Sequence, residues 1–171
     1  SNEGATGSEI SHNTSARGGG MFIYGASVSG SQYALEMTQG AITHNRAYET
    51  ELNEGLGGGI VIYNAKAKLT GVNISNNVCA QLVNGAYVFE GQGITNHYGG
   101  GLAIYFESVV ELYGCTVQAN QAQAGGGIVM HRGSALTMKP DANGVGNQVK
   151  QNISTGYGGG VYLRTRINTN K

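Results

Sequence analysis

Short apolar–polar alternations recur along this chain, and each begins directly after three consecutive glycines. The segments MFIY, IVIY, LAIY, IVMH and VYLR follow Gly18–Gly20, Gly57–Gly59, Gly99–Gly101, Gly125–Gly127 and Gly158–Gly160. A period of two predicts β-strands, and no helical stripe of useful length interrupts them. In each segment the first and third residues share a face. These are Met21 and Ile23, Ile60 and Ile62, Leu102 and Ile104, Ile128 and Met130, Val161 and Leu163. All ten are apolar, so this face is the expected core. A second signature alternates with the first: an apolar residue, two variable ones, then asparagine. It occurs at Ile10–Asn13, Ile42–Asn45, Ile74–Asn77, Val117–Asn120 and Val149–Asn152. Two signatures in alternating order mark a repeat protein.

The triplets start at 18, 57, 99, 125 and 158, and the most compact unit, Gly99 to Ala124, has 26 residues. The longer units carry insertions at fixed points of the repeat, as surface loops on a stacked solenoid do. Gly101–Tyr105, Val109–Leu112 and Cys115–Val117 read as three short strands. Three strands with their turns make one coil of a parallel β-helix, with coils stacked about 4.8 Å apart. The expected fold is all-β, a parallel β-helix (solenoid) of about four full coils plus partial end coils, with loop insertions. Residues 1–171 are expected to form a single segment of a longer protein, since the chain opens on Ser1-Asn2-Glu3 and stops abruptly at Lys171. The glycine triplets are expected at a tight corner where a Cβ would clash or φ must be positive. The asparagines are expected as left-handed or turn residues whose amides bond along the coil axis.

Composition narrows the class. Glycine supplies 30 of 171 residues, but without a three-residue period and with one proline, so collagen is excluded. Hydrophobic residues at 40% argue against simple disorder. Ten positive side chains cancel ten negative ones, which argues against nucleic acid or an acidic membrane drawn in by bulk charge. No run approaches the roughly 18 apolar residues of a membrane span, so direct membrane insertion by this segment is not expected.

Glycine-rich strands alternating with an apolar-x-x-Asn signature resemble the repeats of bacterial polymorphic outer-membrane proteins and related adhesin-like surface proteins. The resemblance runs from Ile10 to Leu163, with a third glycine in place of the usual alanine and Ile or Val where phenylalanine is usual. It implies a right-handed parallel β-helix in an exported protein, extracellular or at the cell surface, often an autotransporter passenger or an adhesin.

Parallel β-helices also carry polysaccharide lyases and glycosidases, which makes an enzyme the competing reading. Those enzymes resemble one another in their clustered aspartates, whereas this chain has one aspartate, Asp141. Its densest carboxylate set, Glu49, Glu51 and Glu54, lies in an insertion, a poor substitute for two carboxyls held about 5–9 Å apart on rigid elements. His12 and His44 occupy the same slot of the asparagine signature and are expected about 5 Å apart after stacking. They are weak metal candidates, because a stable site usually needs three or four ligands. Cys79 and Cys115 fall at non-equivalent repeat positions, which does not favour a disulfide. No cofactor is expected.

The outward face of the post-glycine strand is more informative. Its second position reads Phe22, Val61, Ala103, Val129 and Tyr162, and its fourth reads Tyr24, Tyr63, Tyr105, His131 and Arg164. A solvated face should be polar, and this one is not. Either insertions or neighbouring domains cover it, or it is a binding face for a glycan or protein. The candidates are Tyr24, Tyr63, Tyr105 and Phe22. Tyr87 and Phe89 join them from the insertion Val78 to Tyr98, whose Asn84-Gly85 pair signals a hairpin. The expected function is therefore a non-catalytic adhesion or stalk segment recognising a host or environmental glycan or protein. The alternative is a polysaccharide-active β-helix or its inactive relative.

Overall fold

The computed structural model describes residues 7–25, 32–49, 55–88, 97–131 and 133–164. Within them the chain is all-β, and no helix is long and apolar enough to cross a membrane. The first round of the chain consists of β1 (Glu9–Ser11), β2 (Thr14–Ser15) and β3 (Met21–Tyr24). The second has β4 (Leu35–Thr43), β5 (Arg46–Glu49), β6 (Gly55–Leu56) and β7 (Ile60–Tyr63). The third has β8 (Lys66–Ser75), β9 (Val78–Val83), β10 (Ala86–Val88), β11 (His97–Tyr98) and β12 (Leu102–Tyr105). The fourth has β13 (Val109–Tyr113), β14 (Thr116–Gln118), β15 (Gln121–Ala124) and β16 (Ile128–His131). The last has β17 (Ala135–Lys139), β18 (Gln148–Lys150), β19 (Ile153–Tyr157) and β20 (Val161–Arg164).

These strands form three sheets that the chain visits in rotation, returning to each one strand further along. One contains β1-β4-β8-β13-β17 with β14 and β18, another β2-β5-β9-β15 with β19, β6, β11 and β10, and the third β3-β7-β12-β16-β20. The rungs pair in parallel, the course of a β-solenoid. The exception is the antiparallel β9–β10 hairpin, turned by Asn84 (φ 49°) and Gly85 (φ 79°) as the sequence signalled.

Registration across the third sheet follows the glycine phase residue for residue. Met21 pairs with Ile60, Ile60 with Leu102, Leu102 with Ile128, and Ile128 with Val161. Ile60, Ile62, Leu102, Ile104 and Ile128 are buried against Ile42, Leu69, Ile74 and Leu112 of the first sheet. Each fully buried side chain of this size stabilises by about 1.5–3 kcal/mol. The second sheet contributes a smaller cluster, Ala47, Cys79 and Ala122. Cys79 and Cys115 are both buried and not joined in a disulfide, each in a different cluster.

Asparagines clamp the stack at one corner. The Asn45 Nδ2 donates to Asn77 Oδ1 at 3.1 Å and to the Ile10 carbonyl at 2.8 Å. Asn77 does the same toward Asn120 Oδ1 (3.0 Å) and the Ile42 carbonyl (2.8 Å). Each Oδ1 also accepts the backbone N–H of the asparagine one rung before, at 2.9–3.0 Å. The buried amides are thereby saturated, two bonds at oxygen and two at nitrogen. One expectation is corrected: the left-handed residue at this corner is the one before the asparagine. His12, His44, Asn76, Ala119 and Gln151 have φ of 52–58°, and the ladder asparagines are not among the positive-φ residues. That twist turns Asn45, Asn77 and Asn120 inward, where each amide reaches both neighbouring rungs.

The triplet Gly57–Gly59 shows why three glycines are needed in a row. Gly57 has φ +58°. A Cβ on Gly58 would lie 2.5 Å from the carbonyl oxygens of Gly100 and Val78. One on Gly59 would lie 2.6 Å from the Gly101 oxygen and 2.9 Å from Asn77 Nδ2. The third glycine is thus the space in which the asparagine ladder sits.

Candidate functional site

The outward face of the third sheet divides into a covered middle and open ends. Val61, Ala103 and Val129 are completely buried, in a cluster with Leu56, Tyr98, Ala124 and Tyr105. The cover comes from the residue before each triplet, since Leu56, Tyr98 and Ala124 precede Gly57, Gly99 and Gly125. A left-handed glycine reverses the chain there and folds that residue back over the strand.

Tyr24, Tyr63 and Tyr105 stand in register on β3, β7 and β12, yet their exposure is graded. Tyr24 is 66% exposed, Tyr63 is half-buried and Tyr105 is 5% exposed. Tyr63 is the hub: its ring centroid lies 5.6 Å from Tyr24, 6.3 Å from Phe22 and 4.3 Å from Phe106. Tyr105 instead packs within the covered cluster, 5.1 Å from His131. It supports the aromatic face from beneath. Tyr87 lies in β10 of the hairpin, and Phe89 lies outside the described residues.

Sequence reasoning missed Phe106. With Tyr63, Asn64 and Glu107 it lines a cavity of about 400 Å³. Asn64, Phe106 and Glu107 all have positive φ, of 48°, 53° and 57°. Left-handed backbone is tolerable for asparagine but strained for phenylalanine and glutamate. The signal was present in the corner sequences. Glu107-Ser108 occupies a corner position that in the next rung reads Gly133-Ser134, where Gly133 has φ +74°. A glutamate stands where the neighbouring rung uses glycine.

The first sheet carries a second polar group. Tyr33, Glu36, Lys66, Lys68, Glu111 and Tyr113 meet on its solvent side; Glu36, Lys68 and Glu111 are in register. Tyr113 donates its hydroxyl to Glu111 Oε2 at 2.9 Å, and Lys66 Nζ lies 4.3 Å from the Tyr33 ring centroid. The Tyr113 phenol is raised by its hydrogen bond to Glu111, and Tyr33 is raised by loss of solvent and then by Glu111. Glu111 is lowered, chiefly by the Tyr113 hydrogen bond. These shifts move all three groups away from neutrality, which leaves the phenols weaker acids and the carboxylate a weaker base at neutral pH. The cluster reads as charge-compensated surface.

The two histidines meet as the repeat register requires, with ring centroids 5.1 Å apart and planes within 4°. Face-to-face imidazoles direct their in-plane lone pairs along parallel lines, not toward a common ion. Among the described residues no group of three or more His, Cys, Asp and Glu side chains could hold a metal. Compared with known proteins, the chain matches no family model, no curated protein and no solved structure.

Proposed function

We propose that this chain is a right-handed parallel β-helix segment, about four full coils with partial end coils, of an exported bacterial surface protein. Its role is non-catalytic: recognition of a glycan or protein partner outside the cell through an aromatic face. The observation that carries the reading is the group of Tyr24, Tyr63 and Phe106 beside the Asn64–Glu107 cavity, where three non-glycine residues are held in left-handed backbone. Strained backbone of this kind persists where the surroundings over-determine it, and it clusters at binding sites. Tyrosine suits glycans and proteins alike, because its ring packs and its hydroxyl bonds.

The test is an array of immobilised glycans and matrix proteins probed with the labelled chain. The expected result is retention on at least one class of ligand, weakened more than about tenfold by Tyr63→Ser. The circular dichroism of the variant should be unchanged, because Tyr63 lies outside the buried core. Equal binding by the variant would refute the aromatic face, and cleavage of a polysaccharide by the wild-type chain would replace adhesion with the polysaccharide-active alternative.

A further inference from the structure

At the β20 end of the third sheet, opposite the Tyr24–Tyr63 group, lies a second cavity of about 450 Å³, lined by Tyr98, Gly156, Tyr157, Tyr162 and Arg164 among others. That volume is within the range of small-molecule sites. Two of its walls are aromatic: Tyr157 and Tyr162 stack with centroids 5.5 Å apart and planes 18° from parallel. Tyr157 is 68% exposed, so the platform faces solvent. The third feature is a positioned cation. Arg164 Nη1 donates to the Tyr98 hydroxyl oxygen at 2.7 Å, and its guanidinium carbon lies 5.5 Å from the Tyr98 ring centroid. Tyr98 itself is buried, so it acts as a fixed post for the arginine. Gly156 keeps one wall free of side chain.

We propose that this cavity binds an acidic saccharide, a pyranose bearing a carboxylate. The apolar C–H face of the ring packs on the Tyr157–Tyr162 platform, while the carboxylate meets the guanidinium of Arg164. Three observations select this ligand class. No described residue lining the cavity carries a carboxylate that would already neutralise Arg164. The planar guanidinium has five N–H donors in a fork that matches a carboxylate, and its known bond goes to a neutral phenol. Finally, flat stacked phenols offer apolar area and edge polarity together, which suits a sugar better than a purely aliphatic ligand. Because its residues are separate from the Tyr63 group, this site stands or falls independently of the function proposed above.

The experiment is an amide-resolved NMR titration of the whole chain with digalacturonate. Cellobiose, sodium acetate and a tripeptide with a free C-terminal carboxylate serve as comparison ligands. Digalacturonate should give saturable shifts at Tyr157, Tyr162 and Arg164 and leave Tyr24 and Tyr63 unmoved. Arg164→Gln should weaken binding by about tenfold or more, the scale of a charge-assisted hydrogen bond. Tyr157→Ala, an exposed position, should weaken it without altering circular dichroism. The proposal is overturned if no saturable shift occurs up to about 10 mM, well above the concentration at which even a weak site fills. It is equally overturned if cellobiose, acetate or the tripeptide matches digalacturonate, or if both variants bind as the wild type does.

Discussion

Replacing Asn77 by alanine tests whether side-chain amides, and not glycine packing alone, lock the rungs together. Its amide makes four buried hydrogen bonds. It donates to Asn120 Oδ1 (3.0 Å) and the Ile42 carbonyl (2.8 Å), and it accepts from Asn45 N (2.9 Å) and Asn45 Nδ2 (3.1 Å). Truncation leaves three buried groups without those partners: the Ile42 carbonyl, the Asn45 N–H and one hydrogen of the Asn45 amide. Each orphaned group costs about 1–3 kcal/mol, so Asn77→Ala should lose about 3–6 kcal/mol after local relaxation. That is a large share of the roughly 5–15 kcal/mol that holds a typical domain. The same change at exposed Asn13, whose amide donates only to Ser11 O and Asn45 Oδ1, should cost under about 1 kcal/mol, because water can replace those bonds. Asn77→Asp is the stricter variant. It keeps the shape but turns two donors into acceptors aimed at the Ile42 and Asn120 oxygens, so it should be at least as damaging as alanine. Urea denaturation followed by circular dichroism measures all three. The reasoning fails if Asn77→Ala stays within about 1 kcal/mol of the wild type, or if the aspartate is tolerated.

Two further outcomes follow from other parts of the stack. Gly59→Ala should destabilise by about 1–3 kcal/mol, since its Cβ would press on the Gly101 carbonyl and Asn77 Nδ2, whereas Gly146→Ala, with nothing within 4 Å and no positive φ, should be neutral or slightly stabilising; thermal melts of both decide it. Burial holds His97 at a pKa lowered to about 4, so the fold keeps it neutral while the unfolded chain takes up a proton below about pH 6.5. Stability from this group is therefore complete above pH 6.5 and falls by about 3 kcal/mol as pH drops to 4, and in a urea series across that range His97→Leu should flatten this part of the slope.

Most of the scaffold was legible because each repeat restates the same physical constraint. Glycine phase placed ten residues on one side of one sheet, and the rungs pair in that register; eight of them join the core, whereas Val161 and Leu163 on the terminal rung are exposed. The asparagine ladder and the Asn84-Gly85 turn were equally readable, since both depend on local chemistry repeated or well known in turns. Less legible was anything decided between rungs. Ala119 and Gln151 have little intrinsic preference for left-handed backbone, yet the ladder imposes it on them, so the twist was assigned one residue too late. Cover of Val61, Ala103 and Val129 by Leu56, Tyr98 and Ala124 depends on a chain reversal that a period-two reading does not register. Phe106 was overlooked because its importance lies in where a strained corner places the ring, beside a tyrosine 43 residues away in sequence. Arg164 and Tyr98, 66 residues apart, meet only when three successive rungs are stacked.

The most direct test of the stacked architecture that presents these faces is the side-chain amide region of a nuclear Overhauser spectrum. Asn45, Asn77 and Asn120 lie 32 and 43 residues apart in sequence, yet their amides bond in series at 3.0–3.1 Å. The account predicts strong cross-peaks linking these amides in that order, with slowed solvent exchange. Sharp, rapidly exchanging asparagine amides with no cross-peaks between them would contradict it.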